Sequence, residues 1–143
     1  MSAYLCTVSR HSPENWALCK QVGLWGIPGR KQLRIPVEVE DRLLVWVGGQ
    51  GYVAEAVVTN RPRSPSSEAE VPWPGGTFRF MTVIPMKVAT EVQTPIRFPF
   101  IGDKQAETGL SKTNFMGGFR RLPTDVSILI SNALAAQASK ERP

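Results

Sequence analysis

VEVEDRLLVWVGGQGYVAEAVVT, residues 37–59, is the segment with the clearest strand pattern in the chain. Residues 43–47 are an uninterrupted apolar run, which is typical of a strand buried on both faces. A glycine-rich turn follows, and from Tyr52 to Thr59 the sequence partly alternates between apolar and polar residues. Glu55 interrupts the apolar side, so we expect it to point outward. The segment therefore predicts a β-hairpin.

The other regular elements lie on both sides of this hairpin. Ser12 followed by proline, with Gly23 as a stop, predicts a helix over residues 12–23. A second helix is expected over residues 123–141, capped by Thr124 or Asp125. Further extended segments are predicted at residues 3–8, at residues 77–85 with Phe78, Phe80, Thr82 and Ile84 on one face, and at the proline-containing edge 94–100.

Strands dominate and a helix lies near each end of the chain. This pattern predicts an α+β fold in which a curved or barrel-like sheet of about five to six strands is flanked by helices. A chain of 143 residues is long enough for one domain with one core. We assign residues 1–138 to that domain and expect a frayed tail over residues 139–143.

Basic residues are clustered along the sequence. The formal net charge is +5, from 17 Lys and Arg against 12 Asp and Glu. Between residues 10 and 36, Glu14 alone opposes Arg10, Lys20, Arg30, Lys31 and Arg34. A second basic group near the end comprises Lys112, Arg120 and Arg121. Such clusters favour a phosphate-bearing partner, and they are equally compatible with a solvated basic surface.

The sequence lacks the patterns typical of a membrane span, a signal peptide, a zinc site and a catalytic centre. No apolar run approaches the roughly 18–20 residues that span a bilayer, and the N-terminal sequence lacks a signal-peptide pattern, so we expect a cytoplasmic or nuclear protein. Cys6 and Cys19 are expected to be reduced, buried thiols. A single histidine, His11, gives no zinc site. With no nucleotide-cofactor motif and no identifiable nucleophile–base pair, we expect no cofactor, no metal and no catalysis.

The four tryptophans fall into two groups. Trp16 on the first helix and Trp46 in the buried strand are expected to be core residues. Trp25 in QVGLWGIPGRKQL and Trp73 in VPWPGG lie in segments that we interpret as loops, because glycine and proline surround them. An indole face stacks on a flat base with about 1–3 kcal/mol, and two faces can enclose one flipped-out base. The alternative is that each loop tryptophan closes one end of the barrel.

The order of these motifs resembles an EVE domain. A strand and a helix precede GLWGIP, VEVEDRLLVWVGGQGYVAEAVV and VPWPGGTFRF, and the likeness extends over about residues 3–134. EVE domains belong to the PUA-like superfamily and are similar to the YTH readers of methylated adenine. The resemblance implies a β-barrel flanked by helices, with a pocket between a helix and the barrel that accepts a modified base of DNA or RNA.

The resemblance also implies which residues contact the base. Trp25 and Trp73 match the two aromatic walls of the pocket, and Asn15 matches an asparagine that hydrogen-bonds the base edge. The backbone at Gly26 is expected to contact the base, and Pro74 is the candidate for a third wall. An amide suits the role of Asn15 because it offers both a donor and an acceptor.

Flanking phosphates require cations outside the pocket. We assign this role to four residues: Arg10, Arg30, Lys31 and Arg34. Such contacts contribute affinity without sequence choice. Arg79, Arg120 and Arg121 would extend the same basic track.

Two alternatives belong to other functional classes. ASCH domains share the PUA-like superfamily, and some resemble small amidohydrolases that act on modified, acylated nucleosides through Lys, Thr and Glu. The proline-rich loop at residues 60–76 is instead compatible with a protein-interaction module. We predict a non-catalytic protein that binds DNA or RNA containing a modified, methylated base, without a membrane partner. The sequence carries no signal for the oligomeric state.

Overall fold

A six-stranded sheet, curled into a half-barrel, organises the chain in the computed structural model, which describes residues 1–29, 36–116 and 118–142. The strands in chain order are β1 Ala3–Val8, β2 Leu24–Pro28, β3 Arg42–Val47, β4 Gly51–Val58, β5 Phe80–Ile96, β6 Phe100–Ile101, β7 Lys104–Gln105 and β8 Phe119–Arg121. The large sheet has the order β2-β5-β4-β3-β1-β8, and β6 pairs with β7 separately. β1 and β3 are parallel, whereas the other neighbours in the large sheet are antiparallel.

Three α-helices accompany the sheet: α1 Asn15–Val22, α2 Gly76–Arg79 and α3 Thr124–Glu141. Short 3-10 turns lie at Glu68–Glu70 and Lys112–Phe115. Among the helices in the described part of the chain, none is long and apolar enough to cross a membrane.

The predicted β-hairpin is confirmed by β3 and β4. Val45 pairs with Ala54 and Trp46 pairs with Tyr52, so Val53 is an extra residue in β4. This bulge lets Tyr52 point to the opposite side of the sheet from Val53 and Ala54. The hairpin thereby contributes large side chains to both faces, as its uninterrupted apolar run predicted.

The two faces of the sheet bury two separate cores. In β1, Tyr4, Cys6 and Val8 face a core that includes Trp16 of α1, which we call the α1 core. Leu5 faces a second core formed with α3, which we call the α3 core. Both faces of β1 and β3 are buried because the α1 core covers one side and α3 covers the other.

Glu55 differs from its predicted outward position. It is 7% exposed, and its carboxylate accepts a hydrogen bond from Nη1 of Arg42 at 2.9 Å. The residues face each other diagonally across the β3–β4 ladder, where Leu44 is the direct partner of Glu55. Pairing with a guanidinium is what permits this carboxylate to be buried.

Trp25 lies in β2 rather than in the predicted loop. β2 pairs with β5, and Trp25 stands opposite Ile84 in that ladder. The glycines around Trp25 were interpreted as turn residues. Gly26 is instead a strand residue that another side chain approaches closely, so composition alone gave the wrong local structure.

The strand predicted over residues 77–85 begins later than expected. Residues 76–79 form α2, and Phe78 is 95% exposed rather than part of the apolar face. That face begins at Phe80 and continues with Thr82 and Ile84, which are buried as predicted. β5 is 17 residues long because its first part pairs with β2 and its second part with β4.

Both long helices begin differently from prediction, whereas α1 ends at Gly23 as predicted. α1 begins at Asn15, and the backbone N–H of Asn15 donates to the carbonyl of Ser12 at 3.0 Å in a preceding turn. Pro123 occupies the position before α3, and no side chain caps that helix, so the predicted caps at Thr124 and Asp125 are wrong.

The tail that was expected to fray from residue 139 is helical up to Glu141. The Glu141 carboxylate accepts the backbone N–H groups of Gln93 and Thr94, each at 2.8 Å. These two bonds attach the end of α3 to β5, and they lower the pKa of Glu141 together with the Gln137 side chain, which is the largest cause.

Candidate functional site

A cleft of about 710 Å³ lies where the start of α1, β2 and the loop before α2 meet the ends of β1 and β3. One part, which we call the inner part, is lined by Asn15, Cys19, Trp25, Gly26, Trp73 and Phe80. The outer part is lined by Thr7, Trp46, Phe115, Met116 and Gly118. Val8, Ser9, Arg10 and Gly48 also line the cleft, where Gly48 contacts Val8 and Arg10 at the end of the β1–β3 ladder, and we call these four residues the ridge.

Strand alternation explains why one cleft has two parts. Thr7 of β1 pairs with Trp46 of β3, and both point to the face opposite to Cys6 and Val45. The inner part therefore borders the α1 core, whereas the outer part borders the α3 core. The cleft passes around the end of the β1–β3 ladder.

Trp73 is held tightly in the inner part. Its ring lies 5.0 Å from the ring of Phe80 at an angle of 55°, and Trp73 is 3% exposed. A side chain on Gly26 would collide with this indole, since an added Cβ would lie 2.6 Å from Cζ3 of Trp73. The position of this cleft wall is thus fixed by packing against β2 and β5.

The loop that carries Trp73 is anchored at two further points. Arg63 forms an isolated bridge with Val83 of β5, and its guanidinium makes two bonds to the Glu70 carboxylate at 2.9 and 2.8 Å. The Arg63 hydrogen bond, with a smaller contribution from the Ser66 N–H, lowers the pKa of Glu70 to about 2. Val71 is buried in the α1 core. The proline-rich segment is therefore attached to the domain.

Cys19 lies beside Trp73 in the same wall. Burial raises the pKa of the Cys19 thiol to about 12, and the Trp73 indole N–H and the Gly26 backbone N–H partly oppose that rise. The indole N–H approaches the sulfur without forming a hydrogen bond of normal geometry. Cys6 is also a free, buried thiol with a raised pKa, so both cysteines are neutral at physiological pH.

Two polar atoms of the inner part lack partners. Asn15 Oδ1 and Trp73 Nε1 are two of the four buried side-chain N or O atoms without a hydrogen bond in the described residues. Leaving such an atom unpaired costs about 1–3 kcal/mol. One atom is an acceptor and the other a donor, and both are buried from solvent in the wall of the inner part.

The charge at the cleft is positive. Arg10 and Arg79 are exposed and belong to the lining, while no Asp or Glu does, among the residues that the structure describes. The Arg79 guanidinium lies 5.2 Å from the ring of Phe80. No group of three or more His, Cys, Asp or Glu side chains that could hold a metal occurs in the described ranges. The arrangement suits an aromatic, uncharged or anionic ligand.

Most of the predicted site residues that can be located lie at this cleft. Asn15, Trp25, Gly26 and Trp73 line the inner part, and Arg10 lies on the ridge. Pro74, the predicted third wall, is exposed and does not belong to the lining of the cleft. Phe80 stands against Trp73 instead. Three predicted phosphate ligands lie outside the described residues: Arg30, Lys31 and Arg34.

Sequence reasoning missed several lining residues. Cys19 lies one helical turn after Asn15, and this i, i+4 spacing was available from the sequence once the helix was predicted. Trp16 was interpreted as a core residue, and it is buried, with its indole N–H donating to Glu91 at 2.9 Å. Trp46 was also interpreted as core, but it is only half-buried and reaches the outer part.

Comparisons with known proteins find similarity in structure but none in sequence. No family model matches the chain, and no curated protein matches it. The YTH domain of Toxoplasma CPSF4 in its apo form matches with a TM-score of 0.67 and 15% identity, covering 95% of this chain and 87% of that one. The same domain in complex with a 7-mer m6A-modified RNA gives 0.66 and 15%, covering 99% and 92%.

Two further structures are similar over most of their lengths. The YTH domain of Zygosaccharomyces rouxii MRB1, in complex with N6-methyladenosine RNA, gives a TM-score of 0.61 and 16% identity, covering 92% of this chain and 86% of that one. A hypothetical protein from Leishmania major gives 0.60 and 14%, covering 96% of each chain. The chain therefore has a YTH-like α+β fold, which confirms the predicted class and the curled sheet flanked by helices.

Proposed function

We propose that this chain binds RNA containing a methylated base and holds that base, flipped out of its stack, in the inner part of the cleft. The observation that carries the proposal is the pair of buried, unpartnered atoms, Asn15 Oδ1 and Trp73 Nε1, beside two tryptophans on a cleft of positive charge. A base edge carries both donors and acceptors, so it can satisfy both atoms once the indole N–H of Trp73 turns from the Cys19 sulfur toward the base.

The chemistry of the inner part fits a modified base. Trp25, Trp73 and Phe80 line the inner part with aromatic rings, although each residue is at most 6% exposed. A base that stacks on a ring face gains about 1–3 kcal/mol. A methyl group on the base adds apolar surface, worth about 0.8 kcal/mol when fully buried. In this proposal, Asn15 accepts a hydrogen bond from an exocyclic N–H and Trp73 donates to a ring nitrogen.

The fold supports the choice of ligand. Among the similar structures are YTH domains solved with m6A-modified RNA, and we therefore take N6-methyladenosine as the first base to test. We also propose that the chain is an EVE-like member of this group, on the order of motifs around GLWGIP and VPWPGG. Phosphates on either side of the base are assigned to Arg10 and Arg79, with Arg30, Lys31 and Arg34 as further ligands from the sequence.

The test is a binding panel read by intrinsic tryptophan fluorescence. It compares a short RNA with one central N6-methyladenosine, the same RNA with adenosine, the matching DNA with N6-methyldeoxyadenosine, and both nucleic acids with 5-methylcytosine. We expect the methylated RNA to bind at least about fourfold more tightly than its unmodified twin, the ratio that one buried methyl supplies. Equal affinity for all modified and unmodified forms would overturn the proposal.

A pair of variants tests the site itself. Trp73→Phe keeps an apolar ring and removes the indole N–H, so it should weaken binding of the methylated RNA with the fold retained. Phe78→Ala is the matched control, because Phe78 is an exposed aromatic on the neighbouring helix and does not line the cleft. Loss of binding in both variants, or in neither, would contradict the assignment of Trp73.

A further inference from the structure

We infer that the outer part of the cleft is a second base-binding surface, which stacks the nucleotide adjacent to the modified one in the same RNA strand. This inference rests on the proposed function of the inner part. The surface consists of Trp46, Phe115 and Met116 and is called the outer shelf below. It is continuous with the inner part, since one cleft of about 710 Å³ contains both.

The outer shelf is an aromatic surface that is already fixed in place. The Trp46 ring lies 4.6 Å from the ring of Phe115 and 4.8 Å from that of Tyr52, at angles of 47° and 73°. Tyr52 is fully buried and its hydroxyl donates to Oε1 of Gln105 at 3.2 Å. Trp46 is therefore supported from the α3 core and does not need to be ordered when a base arrives.

The same surface is unusually open for an apolar cluster. Met116 is 80% exposed, and Trp46 is only half-buried although its neighbours in β3 are buried. Large apolar side chains that remain exposed at the border of a cleft are typical of a binding surface. Thioether and indole groups both form favourable contacts with flat aromatic rings.

The ridge between the two parts can bind the phosphate that connects the modified nucleotide to its neighbour. An added Cβ on Gly48 would lie 2.8 Å from the backbone nitrogen of Arg10, so glycine is required for the turn after β3 to pack against Arg10. The Arg10 side chain is exposed on the ridge and forms no ion pair among the described residues. A phosphate crossing from one part to the other would meet this cation.

The positive charge beside the outer shelf favours a nucleotide as its occupant. Lys112 lies beside the shelf, 5.7 Å from the ring of Phe100, which itself contacts Phe115. Arg120 is exposed in β8, which follows Met116 closely in the chain. An apolar surface that has Lys112 beside it and is continuous with a base-binding cleft suits a base with its phosphate. A protein partner is the competing occupant, and the experiment below distinguishes it.

The experiment measures binding of a five-nucleotide RNA with a central N6-methyladenosine. Two further oligomers carry an abasic site immediately 5′ or immediately 3′ of the modified base. We expect one of the two abasic oligomers to bind the wild-type protein at least about fivefold more weakly, the lower limit of one stacked base. The abasic oligomer that binds as tightly as the intact one shows on which side of the modified base the outer shelf is not used.

The variants Trp46→Ala and Met116→Ala connect that loss to the shelf. Each should weaken binding of the intact oligomer and reduce the abasic penalty. Because Trp46 packs against the α3 core, its variant can unfold, and Met116→Ala then carries the test, since Met116 is 80% exposed. Ile128→Ala, at an exposed apolar residue of α3 outside the cleft, is the matched control and should leave both values unchanged.

The outcomes separate the two proposals. If the methylated oligomer binds more tightly than its unmodified twin but neither abasic site weakens binding, the inner part binds a base and the shelf inference is wrong. If Met116→Ala leaves the abasic penalty unchanged, the adjacent base stacks elsewhere and the inference is also wrong. If methylation has no effect on affinity, the proposed function fails and the inference fails with it.

Discussion

Gly26 lies so close to the indole of Trp73 that no side chain can be accommodated at residue 26. An added Cβ at Gly26 would lie 2.6 Å from Cζ3 of Trp73 and 2.9 Å from Cδ1 of Phe80. Gly26 directly follows Trp25 in β2, so this close approach fixes one tryptophan relative to the strand that carries the other. The geometry of the inner part therefore depends on the absence of a side chain at one position.

Gly26→Ala should displace Trp73 and reduce both stability and binding. Overpacking of this kind costs about 1–3 kcal/mol of unfolding free energy, and binding of methylated RNA should fall because one wall has moved. Urea denaturation and fluorescence titration measure the two effects. Adding Trp73→Leu in the same chain should restore part of the stability without restoring binding. Unchanged affinity in Gly26→Ala would contradict the role of Trp73 as a wall.

Trp25→Ala should destabilise the fold by about 3–5 kcal/mol, because Trp25 is 5% exposed and large cavities in a core are costly. For binding, Trp25→Phe is the better substitution, since it keeps a ring in β2 and offers less surface for stacking. Trp16→Phe is the matched control: Trp16 is equally buried, but it bonds Glu91 and does not line the cleft. Thermal melts and RNA titrations of both variants test this. Equal loss of affinity in the two would mean that Trp25 acts through stability alone.

The fold could be predicted where its signals are local. β1 and the β3–β4 hairpin were predicted within about two residues, because short apolar runs, partial alternation and a glycine turn specify them directly. β2 was missed, because its pairing depends on Ile84, which is distant in sequence. From sequence alone, a glycine in GLWGIP that permits a turn cannot be distinguished from one that permits the close approach of another side chain.

The site was predictable only in part. Asn15, Trp25 and Trp73 were identified through a family resemblance, and the structure brings them to one cleft. Trp46 was assigned to the core because its strand is apolar, and no local pattern shows which end of a strand lies at the border of a cleft. Met116 belongs to a segment that was interpreted as irregular, where periodicity gives no direction for any side chain.

The cleft should select neutral over cationic bases, and the uncharged Asn15 contributes to that selection. No carboxylate lines the cleft in the described residues, and Arg10 and Arg79 do, so 1-methyladenosine, which is cationic at neutral pH, should bind more weakly than N6-methyladenosine. We expect a ratio of roughly tenfold, which corresponds to about 1.4 kcal/mol. Asn15→Asp should narrow that ratio by adding a negative charge, whereas Asn15→Ala should weaken both nucleosides. Calorimetric titration with the two nucleosides tests this, and equal affinity of the wild type for both would contradict it.

Arg10→Ala should weaken RNA binding in a salt-dependent manner with little change in base preference. Arg10 is exposed, so its removal should change the free energy of unfolding by less than about 0.5 kcal/mol. For a single strand, the slope of log K against log salt should become shallower by about 0.7 if one phosphate contact is lost. Lys87→Ala, at an exposed residue of β5 away from the cleft, is the control. An unchanged slope for Arg10→Ala would contradict the assignment of Arg10 as a phosphate ligand. The same measurement tests Arg30, Lys31 and Arg34.

Cys19 should make the fold less stable as the pH rises above 9. Its pKa is raised from 9.0 to about 12 by burial, so between these values the unfolded chain loses a proton that the folded chain retains. Unfolding then becomes more favourable with rising pH, by up to about 1.4 kcal/mol per pH unit for this thiol. Urea denaturation at pH 7.5, 9 and 10.5 measures the slope, which also contains contributions from Cys6 and Tyr52, whose pKa values burial raises as well. Cys19→Ala should make the slope above pH 9 shallower even if it lowers stability at every pH, and an identical slope in the variant would show that the folded-state thiol ionises normally.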